Sequence, residues 1–191
     1  MHSSYSEFIK HGHGKIGPWF DLVNSEEWDT YGLRTDHFSN SAWLPFFLRR
    51  WNFAKPNRAR FPAAKWKELR VTLRQICERA ARQEPISGAD IRALNQFLKV
   101  SGRMQLLQRH NGLQLQFMPQ ASGWNWIFTV TARSFADLLS EGNSPRIKIC
   151  RNPVCRWVFF DQTKGKTRCW CDDKICGNRE RVRRARASSD S

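Results

Sequence analysis

Between residues 63 and 82 the apolar positions Trp66, Leu69, Leu73, Ile76 and Ala80 recur at helical spacing. One face of a long amphipathic helix is predicted there. Cys77 borders that face and reads as a buried, inert thiol. Lys67, Arg70, Arg74 and Arg79 fall on the other sides and read as a solvated face. Pro85 ends the helix, and Ser87 with Asp90 three residues on predicts a capped start for the next. Ile91, Leu94 and Leu98 would be its buried edge. Upstream, Trp43, Phe46, Phe47 and Trp51 share helical spacing over residues 42–51. Ser39, Asn40 and Ser41 stand where caps belong, and Pro45 falls near the first turn.

The pattern then changes period. Met104 and Leu106, and after them Leu113, Leu115 and Phe117, alternate with polar residues, which predicts two strands. Asn111-Gly112 between them is a hairpin signal. Trp124 and Trp126 are expected to begin a third strand. From residue 127 to 140 the spacing of Phe128, Ala132, Phe135 and Leu139 returns to helix. Residues 141–145, Glu-Gly-Asn-Ser-Pro, form a turn-rich boundary. Beyond it, residues 156–160 are β-prone and Lys164-Gly165-Lys166 reads as a turn. Residues 167–170 are expected to return as the partner strand. Asp172 and Asp173 stand where a helix should start, with Cys176 in its first turn and Arg186 near its end.

The expected fold class is α+β: a mainly helical N-terminal domain with a small antiparallel sheet, then a small C-terminal unit of treble-clef type. The expected divisions are a loose arm over 1–17, a domain over 18–144, a finger over 145–187 and a disordered tail over 188–191. In the arm, His11 and His13 form an H-x-H pair, read as exposed rather than metal-binding.

Charge sharpens the picture. The 191 residues carry a formal net charge of +15, which favours a polyanionic partner. Residues 146–191 hold 13 Lys and Arg against 5 Asp and Glu, so the positive charge is densest at the C-terminal end. No run has signal-peptide or membrane-span character, so a cytoplasmic protein without a membrane partner is expected. Six cysteines in a reducing compartment argue for metal rather than disulfides. Cys150-x4-Cys155 and Cys171-x4-Cys176 are two pairs separated by fifteen residues. Four thiolates of this kind predict one closed, structural zinc site.

The residues around those pairs resemble the CGNR zinc finger. The resemblance lies in Cys150, Cys155, Phe159, Asp161, Trp170, Cys171, Cys176, Gly177, Asn178 and Arg179, followed by an Arg-rich tail. It implies an upstream ABATE domain and a role as a stress-induced transcription regulator. Residues 19–25, Trp-Phe-Asp-Leu-Val-Asn-Ser, are similar to the opening of that domain. Asp21 and Asn24 within them are candidates for a ligand pocket or for backbone caps. The family usually has Arg just before the Trp-Cys pair, where this chain has Cys169. That thiol is an alternative ligand to Cys171.

Arg179, Arg181, Arg183, Arg184 and Arg186 are the candidate nucleic-acid contacts. On a helix 179, 183 and 186 share one face, with 181 and 184 to either side, and arginine suits both phosphates and guanine edges. Ile175, Val182 and Ala185 would form a stripe packed on the finger. Double-stranded DNA is the expected partner, with the upstream domain sensing an effector or forming a homodimer. Two alternatives stay open: a protein-interaction module, and RNA binding with Trp157 and Trp170 stacking on bases. No nucleotide-binding loop, nucleophile elbow or His-Glu-x-x-His helix is present, so no enzyme activity is expected.

Overall fold

The computed structural model describes residues 16–28, 32–56, 60–99, 101–110, 112–120 and 122–189. The His11–His13 pair and Asn111 lie outside them. The architecture is α+β, with helices and three two-stranded antiparallel sheets among the described residues.

Helix α1 (Pro18–Val23) begins with Pro at its first turn, where a missing amide costs least, and is buried along its whole length. A short hairpin of β1 (Glu26–Trp28) and β2 (Arg34–Asp36) follows, where the periodicity predicts no element. Helix α2 spans Trp43–Arg50 and buries Trp43, Phe46, Phe47 and Leu48. Helix α3 (Ala63–Ala81) is the central element and packs against α1 and four elements still to come in the chain. Its predicted face is buried as expected: Trp66, Leu69, Leu73 and Ile76 are fully enclosed. Each such side chain contributes about 1.5–3 kcal/mol on leaving water.

Arg70 departs from the predicted solvated face. It is buried, forks onto Asp36 at 2.8 and 2.9 Å, and donates to Ser25 Oγ at 3.2 Å. Its guanidinium lies over the Phe38 ring at 4.4 Å. A planar cation matched by a carboxylate and an aromatic face is tolerated where a bare one is not.

Helix α4 (Gly88–Leu98) starts with the predicted capping box of Ser87 and Asp90. Its buried edge is rotated from the one expected: Leu94 and Phe97 face inward and Ile91 faces solvent. Arg79 Nε holds the Asp90 carboxylate at 2.8 Å, which turns that side of the helix toward α3. Strands β3 (Gly102–Arg109) and β4 (Gly112–Pro119) form the predicted hairpin, with Leu106 opposite Leu115. Met104, Leu106, Leu113 and Leu115 remain exposed.

Helix α5 spans Gly123–Ser140, so the strand expected at Trp124 and Trp126 is helix instead. Trp124 meets Phe61 and Trp66 edge-on at 5.6 and 6.2 Å, and the inward spacing Ile127, Phe128, Thr131, Ala132, Phe135 keeps helical period. The hydroxyls of Thr129 and Thr131 donate to the carbonyls of Phe97 and Ile127, so these β-branched residues are satisfied in a helix.

Strands β5 (Ile147–Ile149) and β6 (Val158–Phe160) pair antiparallel, and β5 packs on α3. The chain ends in a π-helical turn (Asp173–Gly177) that runs into α6 (Asn178–Ser189). The helix therefore covers Ser188 and Ser189, the start of the expected disordered tail; residues 190–191 are outside the description. The core crosses the turn-rich boundary, for Ile147, Trp157, Val158 and Phe159 belong to the same buried cluster as Trp19, Leu73 and Phe135.

Candidate metal centre and basic helix

The first cysteine pair sits on the loop between β5 and β6. Cys150 N donates to Trp157 O at 2.9 Å and so adds a rung to the ladder. Cys155 N donates to Asn152 O at 3.0 Å, and buried Asn152 accepts from Val154 N through its side chain. Arg156 then takes a left-handed conformation with φ 52°, which turns the chain into β6. The partner of β6 is thus β5, not residues 167–170 as expected. The reason lies in Asp161. Its fully buried carboxylate accepts from Thr163 N, Thr163 Oγ1 and Arg168 N at 3.0, 2.6 and 2.9 Å. Residues 161–168 are wound around that side chain and have no free ladder to offer. Burial pushes the Asp161 carboxyl up, but the bonds from Thr163 and Arg168 outweigh it and hold it below the ordinary carboxylate range.

The second pair straddles the start of the last helix. Asp172 caps the π-helical turn, accepting from Ile175 N at 2.9 Å through its side chain. Its carbonyl accepts from both Cys176 N at 2.9 Å and Gly177 N at 3.1 Å. The extra residue in this turn brings Gly177 so close that a Cβ there would lie 2.4 Å from Asp173 Oδ1 and 3.0 Å from the Trp170 ring. Only glycine fits without displacing one of them.

These two turns bring Cys150, Cys155, Cys171 and Cys176 together, with all four Sγ atoms within 4.8 Å of one another. Cys171 Sγ lies 3.6 Å from both Cys155 Sγ and Cys176 Sγ. A tetrahedral ion with Zn–S bonds of about 2.3 Å has thiolate edges of about 3.8 Å, so the set fits one zinc. Cys169 is not part of it; its thiol turns to Thr167 O at 3.3 Å. Without a cation the four groups cannot all ionise. Hydrogen bonds from Cys155, Cys171 and Cys176 push the Cys150 thiol far down, and donation to Cys150 pushes Cys155 and Cys171 far up. Zinc, when bound, stabilises all four as thiolates and leaves no open position for a substrate.

Helix α6 leaves this centre carrying the five candidate arginines; it packs mainly on the π-helical turn before it, with Glu180 buried and the arginines exposed. Arg181 pairs with Asp173 at 3.2 Å. Arg183 and Arg184 pair with Glu180 at 2.6 and 3.1 Å. The hydrogen bond from Arg183, with that from Arg184, holds the Glu180 carboxyl down at about 2. Arg179 and Arg186 lie on the shared face and make no such pair among the described residues. The expected stripe does not pack on the finger: Ile175 and Val182 are about two-fifths exposed and Ala185 is exposed. The β5–β6 hairpin turns its apolar side to α1 and α3, which leaves none for α6. Trp157, a candidate for stacking on bases, is buried against Phe20 at 6.4 Å. Trp170 is half-buried beside Gly177.

Asp21 and Asn24 are both buried in the fold. Asp21 Oδ2 accepts from Arg50 Nε at 2.9 Å and Trp51 Nε1 at 2.8 Å. Burial nevertheless dominates and raises its pKa to about 6. Asn24 donates to Phe20 O and exchanges two hydrogen bonds with the Val158 backbone in the finger. Periodicity had no means of finding Arg74, which donates to Arg156 O at 2.6 Å and ties α3 to the metal loop. Among the described residues, no helix is long and apolar enough to cross a membrane.

A closed four-thiolate site on a β-hairpin and a π-helical turn, docked on a helical domain, defines a zinc-finger protein with a structural metal. The chain belongs to the ABATE family, described as "Putative stress-induced transcription regulator", which it matches over residues 17–142. Residues 146–188 match the CGNR zinc finger. No curated protein matches the chain.

Proposed function

We propose that this protein is a transcription regulator that binds double-stranded DNA through α6, held in a fixed direction by the zinc centre. The observation that carries this reading is the last helix itself. It bears five arginines, emerges from the thiolate cluster, and is left open to solvent by the rest of the fold. Arg179, Arg183 and Arg186 on one face suit phosphates and guanine edges. The ion pairs to Asp173 and Glu180 pre-set three of the side chains, and the exposed Arg181–Asp173 pair is of the kind that exchanges readily for phosphate.

The upstream domain suits sensing and dimerisation. A cavity of about 520 Å³ lined by Phe38, Trp43, Leu44, Leu48 and Phe61 has the size and apolar walls of a small-molecule site. The β3–β4 hairpin presents Met104, Leu106, Leu113 and Leu115 on one side. A lone two-stranded hairpin is marginal in water, and a second copy would cover that side symmetrically.

The test is binding of the zinc-loaded protein to duplex DNA, single-stranded DNA and RNA at one salt concentration. Tighter binding to the duplex, weakened by Arg179, Arg183 and Arg186 to Gln, supports the reading; equal affinity of variant and wild type removes α6 from it. A second reading is favoured by exposed Ile175 and Val182: α6 would then dock on a protein, and Val182→Asp would abolish that docking while leaving DNA affinity unchanged.

A further inference from the structure

A groove of about 660 Å³ lies between the C-terminal end of α3 and the zinc loop, with Cys150 of the metal set and Cys169 in its wall. Arg82 enters it from α3, and Lys148, Arg151, Lys166 and Arg168 enter it from the finger, against the single carboxylate of Glu78. Several of these charges are already engaged. Glu78 holds Arg74 at 3.1 Å and Arg82 holds Glu84 at 2.7 Å. Arg168 donates to the carbonyls of Trp170 and Cys171. Lys148, Arg151 and Lys166 have no carboxylate in ion-pair range among the described residues. Three unpaired cations in one concavity repel each other, and its low-dielectric walls focus their field outward. The carbonyl end of α3 offsets about half a charge and the four-thiolate zinc centre behind Cys150 about two more, which against Lys148, Arg151, Lys166 and Arg168 still leaves the groove positive.

We propose that this groove is a second contact for the phosphate backbone of nucleic acid, resting on the DNA reading of α6. The occupant follows from continuity. Arg151 N donates to Cys169 O at 3.0 Å, so the wall of the groove is bonded to the segment that supplies Cys171 and leads to α6. One zinc set, with Cys150 beside the groove and Cys176 at the start of α6, therefore links the two basic surfaces. A duplex lying across both would touch the upstream domain at Arg82, so a movement of α3 would alter affinity directly.

The test uses the full-length, zinc-loaded protein and one duplex, with affinity measured against salt. Lys148, Arg151 and Lys166 are changed together to Gln, and zinc content and far-UV circular dichroism confirm that the fold is kept. Each phosphate that is no longer neutralised should reduce the slope of log K against log salt by about 0.9, so a reduction of roughly 2–3 is expected. Cys169 lines the same groove and supplies an independent probe. Its alkylation should slow about tenfold when duplex is bound, and inorganic phosphate at equal ionic strength should not protect it. Wild-type affinity and slope in this variant, alongside weakening by the α6 triple variant, would overturn the groove and leave the α6 reading intact. The reverse pattern would keep the groove and remove α6. Equal protection by inorganic phosphate would make the groove a small-anion site and overturn the proposal. Failure of the wild type to bind any duplex would remove both readings.

Discussion

Asn24 and Val158, 134 residues apart, are joined by a two-way hydrogen bond: Asn24 Nδ2 donates to Val158 O at 3.0 Å, and Val158 N donates to Asn24 Oδ1 at 2.9 Å. The amide side chain takes the place of a neighbouring strand on the free edge of β6. Both residues are fully buried, so no water can substitute. With Arg74 on the Arg156 carbonyl, this pair fastens the metal loop to α1 and α3. Asn24→Leu should leave two buried backbone groups unpaired and cost about 2–4 kcal/mol. Denaturant midpoints check this; a loss below 0.5 kcal/mol, about the least expected of a single hydrogen bond, would mean that the edge finds another partner.

Asp21 predicts a pH dependence. Its folded pKa of about 6 lies above the ordinary value of 3.8, so between these values the native state holds a proton that the unfolded chain has lost. Its favourable contribution is complete below about pH 3.8 and is lost as pH rises through 6. The span corresponds to about 3 kcal/mol at most. Asp21→Asn should flatten the decline in stability between about pH 4 and 6. Comparing the two proteins at each pH cancels proton uptake by the thiolates, which both share. Parallel profiles would show that Arg50 and Trp51 keep the carboxylate ionised throughout.

The metal set predicts one zinc per chain. Cys171→Ser should lose zinc at neutral pH, because a three-thiolate site loses both a ligand and its closed geometry. Cys169→Ser should retain it, since that thiol faces Thr167 O rather than the cluster. Metal analysis of the two purified variants decides, and the opposite pattern would exchange their roles.

Much of this was legible before the structure, for physical reasons that differ from element to element. The capping box at Ser87 and Asp90 is a local contact, so spacing alone reveals it. The cysteine pairs are legible because a metal site needs ligands in short turns. The partner of β6 was not. Ile147-Lys148-Ile149 is three residues long and carries one alternation, too little for a period, while Asp161 draws 167–170 out of the sheet. Arg70 was misplaced because its inward turn depends on Asp36, which no helical period contains. The junction reads as a linker at Gly142 and Pro145 only because sequence cannot show Trp157 and Phe159 entering the upstream core.

That shared core changes what metal removal should do. So small a finger on its own would unfold without zinc. Here β5 and β6 keep Ile147, Val158 and Phe159 fully buried, and Asn24 and Arg74 hold them from outside the metal site. The π-helical turn and α6 have no comparable support: Ile175 and Val182 are exposed, and the turn depends on Cys176 being held. Chelation should therefore release Cys176 through Ser189 while the hairpin stays docked. Hydrogen exchange followed by residue reads this directly. The amides of Cys176 and Gly177 should lose protection at once, whereas those of Val158 and Cys150, bonded to Asn24 and Trp157, should keep most of theirs. Equal loss at all four would show that the ion, not the core, holds the hairpin. In that case the truncated protein ending at Ser144 should be as stable as the metal-free full chain. With the hairpin docked, truncation should instead be the more damaging of the two, because it removes Ile147, Val158 and Phe159 from the core at about 1.5–3 kcal/mol each.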